Sequence, residues 1–177
     1  MSNDITTISG PCRGGKSLWA EKLIGNSNNV IYIATGNKEP NDMDWQHRID
    51  KHVKRRPASW ITKECSKDIT SYIKSLTNKY VLLIDSIGGF VANHLTYSDD
   101  KWEAMTFELI DCLNIYQAPI YIVIEEVGWG LVSEYRIGNL FRDRLGSLSQ
   151  KLDKISTNSW LVLQGRAINL KELGQKI

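Results

Sequence analysis

The stretch Gly10-Pro11-Cys12-Arg13-Gly14-Gly15-Lys16-Ser17 constrains this chain more than any other. It fits the spacing G-x-x-x-x-G-K-[ST] of a phosphate-binding P-loop. Each residue type has a physical role there. Glycines at 10, 14 and 15 let the backbone turn tightly and aim successive N–H groups at an anion. Pro11, Cys12 and Arg13 complete the cradle. Lys16 reaches the outer phosphates as a point charge, and the Ser17 hydroxyl offers a ligand to Mg²⁺. The flanks predict a short strand over residues 4–9 and a helix over 17–24, with Gly25 just past its end. Such a helix points its positive dipole end at the phosphates.

A length of 177 residues predicts one domain, 1–177, able to bury a core without staples. A net charge of +2 gives no argument for a nucleic-acid partner. Cys12, Cys65 and Cys112 lie far apart without zinc spacing, which points to a reducing compartment. The first residues are polar and acidic, unlike a signal peptide, and no apolar run reaches membrane-spanning length. The expected location is the cytoplasm.

Residues 30–35 read as an apolar strand of a sheet covered on both faces. The strand runs into Gly36-Asn37, a loop at a carboxyl end, where parallel sheets bind ligands. Residues 41–56 predict a helix, capped by Asn41 or Asp42 and stopped by Pro57, with Trp45, Ile49 and Val53 as its apolar stripe. Arg48, His52, Arg55 and Arg56 share a neighbouring face. Cations around an imidazole disfavour its charged form, leaving a neutral nucleophile or base, and the same cations attract polyphosphate. The alternative is a solvated basic face on which His52 is incidental.

A helix is expected over 67–77 and an apolar strand over 80–85, ending in Asp85. In P-loop enzymes such an aspartate meets the Mg²⁺ shell; otherwise it caps the next turn. Paired Gly88-Gly89 predict close backbone approach to a ligand or a neighbouring helix. His94 reads as a surface or half-buried histidine. Further helices are expected over 99–116 and 133–153, and a strand over 119–124 ending in Glu125-Glu126, acids suited to a metal or a substrate hydrogen bond. Residues 127–132 form a glycine-hinged loop, a candidate substrate flap. The last strand is expected over 160–164, followed by Gly165 and a short tail. Alternating strands and helices predict a mostly parallel sheet flanked by helices. Together these residues describe an α/β P-loop nucleotide enzyme using Mg²⁺. They do not choose among kinase, motor, GTPase switch and nucleotidyl transferase.

The motifs together resemble one family, the bifunctional adenosylcobinamide kinase / adenosylcobinamide-phosphate guanylyltransferases of cobalamin biosynthesis. The resemblance covers nearly the whole chain. It runs from the P-loop through Tyr32-Ile-Ala-Thr35 and on to Arg48-Ile49, His52 and Arg56-Pro57-Ala58-x-Trp60. Val91 and Asn93 fit too, as do Glu126-Val-Gly-x-Gly130 and Phe141-Arg142-Asp143-x-x-Gly146. It implies a RecA-like P-loop domain, a homotrimer, corrinoid substrates, and GTP and ATP as nucleotide substrates. It implies phosphorylation of adenosylcobinamide, then transfer of GMP from GTP through a guanylylated histidine, which His52 matches. Arg55, Arg56, Pro57 and Ala58 match the guanine-nucleotide segment; Thr35, Gly36, Asn37, Glu64 and Asp85 fall at further nucleotide positions. The chain departs from the pattern at Ile124-Glu125, where Thr-Asn is usual, and at Gly88-Gly89 and Ala92, where threonines are usual. Lys51, Ser133 and Ser149 are further departures. The guanylyl-transfer segment is better kept than the kinase acceptor region, so the alternatives are a guanylyltransferase without kinase activity or another P-loop small-molecule kinase.

Overall fold

The computed structural model describes residues 4–36, 43, 47, 53–77 and 79–177. In chain order its strands are β1 (Ile5–Gly10), β2 (Val30–Ala34), β3 (Ile61–Glu64), β4 (Val81–Asp85), β5 (Ile120–Glu125), β6 (Asn158–Leu163) and β7 (Arg166–Asn169). The helices are α1 (Lys16–Ile24), α2 (Ile69–Ser75), α3 (Ile87–Ala92), α4 (Asp99–Ile115), α5 (Arg136–Ile155) and α6 (Leu170–Leu173). Residues 43, 47 and 53–55 are also helical. The rest of the predicted 41–56 helix, with Asn41, Asp42, Trp45, Arg48, Ile49 and His52, lies outside the described residues, as does Asn37.

The strands form one seven-stranded sheet in the order β3-β2-β4-β5-β1-β6-β7. All pairings are parallel except β6 with β7. One strand, β5, stands between the P-loop strand β1 and the Asp85 strand β4, the order of RecA-like P-loop folds.

Side chains alternate across the sheet, so β1, β2, β4 and β5 each serve two cores. On one face Ile5, Ile31, Ile33, Leu82, Ile84, Ile120 and Ile122 pack with residues of α2, α3, α4 and α5. The helices present stripes of helical period: Trp102, Leu109 and Leu113 on α4, and Leu145, Leu148 and Leu152 on α5. Ser98 caps α4, its hydroxyl accepting from Lys101 N–H at 3.4 Å, and Asp99 and Asp100 complement the dipole in the first turn. On the other face Ile8, Val30, Tyr32, Leu83 and Val123 pack with Ala20 and Ile24 of α1 and with Trp60.

Three expectations are corrected. The strand at 158–163 is not the last. Gln164 (φ 51°) and Gly165 (φ 73°) make a two-residue turn with both residues left-handed, which folds β7 back antiparallel, and α6 follows. Residues 87–92 are helix, and the close neighbours of Gly88 and Gly89 are the Glu125 side chain and Thr35 rather than another helix. His94 is buried at 4% exposure, its Nδ1 2.7 Å from the Phe90 carbonyl and its ring between Phe90 and Tyr97. Burial holds it below the usual histidine range.

Candidate active site

Parallel registry brings the strand ends to one edge. Ala34 lies opposite both Glu64 and Asp85, Asp85 opposite Val123, and Gly10 opposite Glu125. The residues after Gly10 and after Ala34 therefore open on the same side as the carboxylates of Asp85 and Glu125. This is the edge at which a parallel α/β sheet binds its ligand.

The P-loop leaves β1 at Gly10, whose φ is 149°. A Cβ there would fall 3.2 Å from the Val162 carbonyl carbon and closer still to its oxygen. Position 10 therefore excludes a side chain on packing as well as on backbone conformation. Gly14 N–H donates to the Pro11 carbonyl at 3.2 Å, closing the turn, and Cys12 and Arg13 lie exposed. Gly15 precedes α1 and has no side chain to cap it, so the first-turn N–H groups face the loop. Lys16 is buried, and its Nζ donates to the Pro11 carbonyl at 2.8 Å. Its ammonium is thus folded back over the loop. Ser17 is half-buried in the first turn.

Asp85 ends β4 and accepts a hydrogen bond from the Tyr32 hydroxyl at Oδ2, 3.1 Å away. Burial and the neighbouring Asp85 push the Tyr32 phenol well above its ordinary range, so it remains a donor. The buried Thr35 hydroxyl donates to the Ser86 carbonyl. The peptide between Asp85 and Ser86 is cis. Ser86 Oγ–H and the Gly88 N–H (3.0 Å) both donate to the Glu125 carboxylate. Burial lifts Glu125 above the usual carboxylate range; backbone hydrogen bonds and Lys16 oppose this, and Asp85 reinforces it.

The segment after the undescribed residues docks on α1 and β2. Arg55 makes a forked ion pair with Glu21 of α1, Nε–Oε2 2.5 Å and Nη2–Oε1 2.8 Å. The Arg56 guanidinium carbon lies 3.6 Å from the centroid of the Tyr32 ring, and its Nη1 donates to Thr62 Oγ1 at 3.4 Å. Pro57 and Ala58 are exposed in the turn that follows, and Trp60 is buried, donating through Nε1 to the Ser27 carbonyl at 3.0 Å. Gly36 and Glu64 are exposed at the ends of β2 and β3.

The P-loop, Thr35, Asp85 and Glu125 thus share one edge, with Arg55 and Arg56 anchored beside it. The donor set for Mg²⁺ would be the hydroxyl of Ser17 and the carboxylate of Asp85. These are hard oxygens of the kind that ion takes alongside water and phosphate. Among the described residues no group of three or more His, Cys, Asp or Glu could hold a metal by itself.

Two contacts were not assigned from the sequence. Tyr32 was read as part of a buried strand and of the Tyr32-Ile-Ala-Thr35 match; its hydroxyl reaches Asp85 because β2 and β4 are neighbours. Arg144 is buried on α5 and donates to the carbonyls of His94 (2.9 Å) and Tyr97 (2.7 Å) and to Asp99 Oδ1 (3.0 Å). It clamps the turn between α3 and α4 from the far side of the sequence. Its position inside Phe141-Arg142-Asp143-x-x-Gly146 was the available signal.

The family model described as cobinamide kinase / cobinamide phosphate guanyltransferase matches residues 6–170. The bifunctional adenosylcobalamin biosynthesis protein CobU of Salmonella typhimurium is 32% identical over 179 aligned positions, covering 93% of this chain and 98% of that protein. The Escherichia coli protein of the same name is 33% identical with the same coverage. The bifunctional adenosylcobalamin biosynthesis protein CobP of Pseudomonas aeruginosa is 29% identical over 167 positions. A solved structure from Pyrococcus horikoshii superposes with a TM-score of 0.57 over 94% of this chain and 85% of its own, at 7% identity, a likeness of fold alone. The chain belongs to the cobinamide kinase / cobinamide phosphate guanyltransferase family, enzymes of cobalamin biosynthesis.

Proposed function

We propose that this enzyme catalyses both family reactions: phosphorylation of the terminal hydroxyl of adenosylcobinamide with ATP or GTP, and transfer of GMP from GTP to the resulting phosphate. The observation that carries the reading is the docking of Arg55 on Glu21. Arg55 follows His52 by three residues, and Glu21 sits on the helix that begins at Lys16. That contact supports a guanylyl-transfer segment working at the P-loop.

In the first half of the transfer, a neutral His52 nitrogen attacks the α-phosphorus of GTP. A P–N bond forms, the α–β bridging P–O bond breaks, and pyrophosphate leaves. In the second, a phosphate oxygen of adenosylcobinamide phosphate attacks the same phosphorus and the P–N bond breaks. Adenosylcobinamide-GDP forms and the imidazole is restored. In the kinase reaction the substrate hydroxyl attacks the γ-phosphorus instead: a P–O bond forms, the β–γ bridging P–O bond breaks, the nucleoside diphosphate leaves, and the hydroxyl proton passes to solvent. The P-loop N–H groups and the Lys16 ammonium hold the polyphosphate, and Lys16 must leave the Pro11 carbonyl to do so. Arg55, paired with Glu21, anchors the segment beside the P-loop, and Arg56 compensates charge near the α-phosphate. Gly36, Asn37, Pro57, Ala58 and Glu64 are the nucleotide positions that the family resemblance implies, and buried Thr35 acts there through its bond to the Ser86 carbonyl. Mg²⁺, held by Ser17 and Asp85, would supply charge neutralisation on the phosphates.

The proposed assembly is a homotrimer acting in the cytoplasm. Exposed Trp129, Leu131, Val132, Tyr135 and Ile137 offer apolar surface for such an assembly. No described helix is long and apolar enough to cross a membrane.

The test is incubation with adenosylcobinamide, GTP and Mg²⁺, followed by mass spectrometry of the corrinoids. Both the phosphate and the GDP product are expected. GDP product formed only when adenosylcobinamide phosphate is supplied would reduce the enzyme to a guanylyltransferase. Neither product would overturn the reading.

A further inference from the structure

The ends of β4 and β5 are joined by a contact that the reaction as described does not use. Glu125 closes β5 directly beside the P-loop strand, in register with Gly10. Its carboxylate turns toward β4 and accepts from Ser86 Oγ–H with one oxygen and from Gly88 N–H with the other, at 3.0 Å. The same short segment is held from the opposite side by Thr35, whose hydroxyl donates to the Ser86 carbonyl. Residues 86–88 are therefore bolted between the ends of β2 and β5, with Asp85 at the junction.

Gly88 and the Glu125 carboxylate share one small space. A Cβ on Gly88 would lie 2.8 Å from the Glu125 carboxyl carbon, inside contact distance, and nearer still to Oε2. The carboxylate occupies the volume that a side chain at 88 would need. Both positions are departures noted in the sequence, an acid at 125 and a bare backbone at 88, and they face each other.

We propose that Glu125 is a positioning residue for the phosphoryl and guanylyl transfers: its carboxylate fixes the Ser86–Gly88 segment, and through it Asp85, against the P-loop, in space that Gly88 leaves open. The inference rests on the proposed role of Asp85 in the Mg²⁺ shell. It adds the group that holds Asp85 in place. Outer groups of this kind orient metal ligands, and removing them commonly lowers metal affinity or activity about 10- to 100-fold. Glu125 is not placed on the substrate; it acts through the segment it holds.

The test uses the whole protein and five variants: Glu125→Gln, Glu125→Ala, Ser86→Ala, Gly88→Ala and the double variant Gly88→Ala/Glu125→Ala. GTP affinity is measured by calorimetry in EDTA and in Mg²⁺, alongside product formation and thermal melting. For Glu125→Ala the gain in GTP affinity on adding Mg²⁺ is expected to fall about tenfold. Affinity in EDTA should stay within about twofold of the parent, because the P-loop is untouched. Glu125→Gln can keep both contacts, its amide oxygen accepting from Gly88 N–H and its NH2 donating to Ser86 Oγ, so it should restore most of the gain. Ser86→Ala removes one contact with residue 125 intact and decides the matter if Glu125→Ala does not fold. Gly88→Ala forces the carboxylate to shift off its two donors, so it should lower the Mg²⁺ gain alone and be nearly silent in the Glu125→Ala background, where the carboxylate no longer fills the space.

An unchanged Mg²⁺ gain and unchanged kcat in Glu125→Ala, or in Ser86→Ala where the first does not fold, would overturn the proposal. So would additive effects of Gly88→Ala and Glu125→Ala. A fall in melting temperature with no change in the Mg²⁺ gain would reduce Glu125 to a structural contact and overturn it equally. Absence of corrinoid products from the parent enzyme would count against the functional reading, while the calorimetric pattern would still decide the role of Glu125.

Discussion

Arg56 lies over Tyr32, its guanidinium carbon 3.6 Å from the ring centroid, while the Tyr32 hydroxyl donates to Asp85. One aromatic side chain thus links the segment after His52 to the carboxylate proposed for the Mg²⁺ shell. A planar cation over a ring is worth about 0.5–2 kcal/mol, and lysine does not reproduce its stacking. Arg56→Lys is expected to raise KM for GTP about fivefold in guanylyl transfer, with stability changed by less than about 1 kcal/mol. Tyr32→Phe should lower kcat in both reactions without displacing Arg56. Steady-state kinetics of the two half-reactions check both outcomes.

Gly10 is the P-loop position with least room. Its φ of 149° and the Val162 carbonyl behind it leave no place for a methyl group. Gly10→Ala is expected to cost about 2 kcal/mol or more of stability through overpacking and backbone strain. It should also abolish measurable GTP binding, because the loop must shift. Urea unfolding and calorimetry measure the two losses independently.

The P-loop was legible because glycines, a lysine and a hydroxyl at fixed spacing carry their own mechanism. The buried strands were legible as apolar runs, and their alternation with helices gave the parallel sheet. What the sequence did not disclose were contacts made by the sheet's order. Tyr32 meets Asp85, and Glu125 meets Ser86 and Gly88, only because β2, β4 and β5 end side by side. The hairpin at Gln164-Gly165 escaped because a glutamine at its first position is not a strong turn signal. His94 was misjudged because the turn that buries its ring between Phe90 and Tyr97 is clamped by Arg144, which is distant in sequence.

Arg144 tests that clamp. Its guanidinium satisfies two carbonyls and Asp99 from a site only 5% exposed and lies 5.2 Å from the centroid of Trp102. Arg144→Met keeps the apolar stem and leaves the His94 and Tyr97 carbonyls without this donor. A loss of about 3 kcal/mol is expected, on the scale of one or two buried groups left unsatisfied. At temperatures where the variant is folded, GTP affinity should match the parent. A variant as stable as the parent would contradict the clamp.

His94 sets a pH dependence of stability. Burial lowers its folded-state pKa, and Lys67 and Lys101 act in the same direction, while the Phe90 carbonyl and Asp68 act against it. The unfolded chain therefore binds the proton first as pH falls. The contribution is fully present above the unfolded value of about 6.5 and is lost as pH falls through the folded value. Unfolding free energies of the parent and His94→Gln should thus differ most in the parent's favour above pH 6.5. The parent's margin should shrink on acidification. A margin that grows as pH falls would contradict the sign.

The central claim is that His52 carries the guanylyl group, and covalent labelling tests it most directly. The protein is incubated with GTP labelled on the α-phosphate in the presence of Mg²⁺, denatured, and treated with acid or alkali. The account predicts label on the parent protein that acid removes and alkali leaves, as a phosphoramidate requires, and that adenosylcobinamide phosphate discharges. It predicts none on His52→Ala. Parent protein that takes up no label while still forming adenosylcobinamide-GDP, or His52→Ala labelled to the same extent, would contradict it.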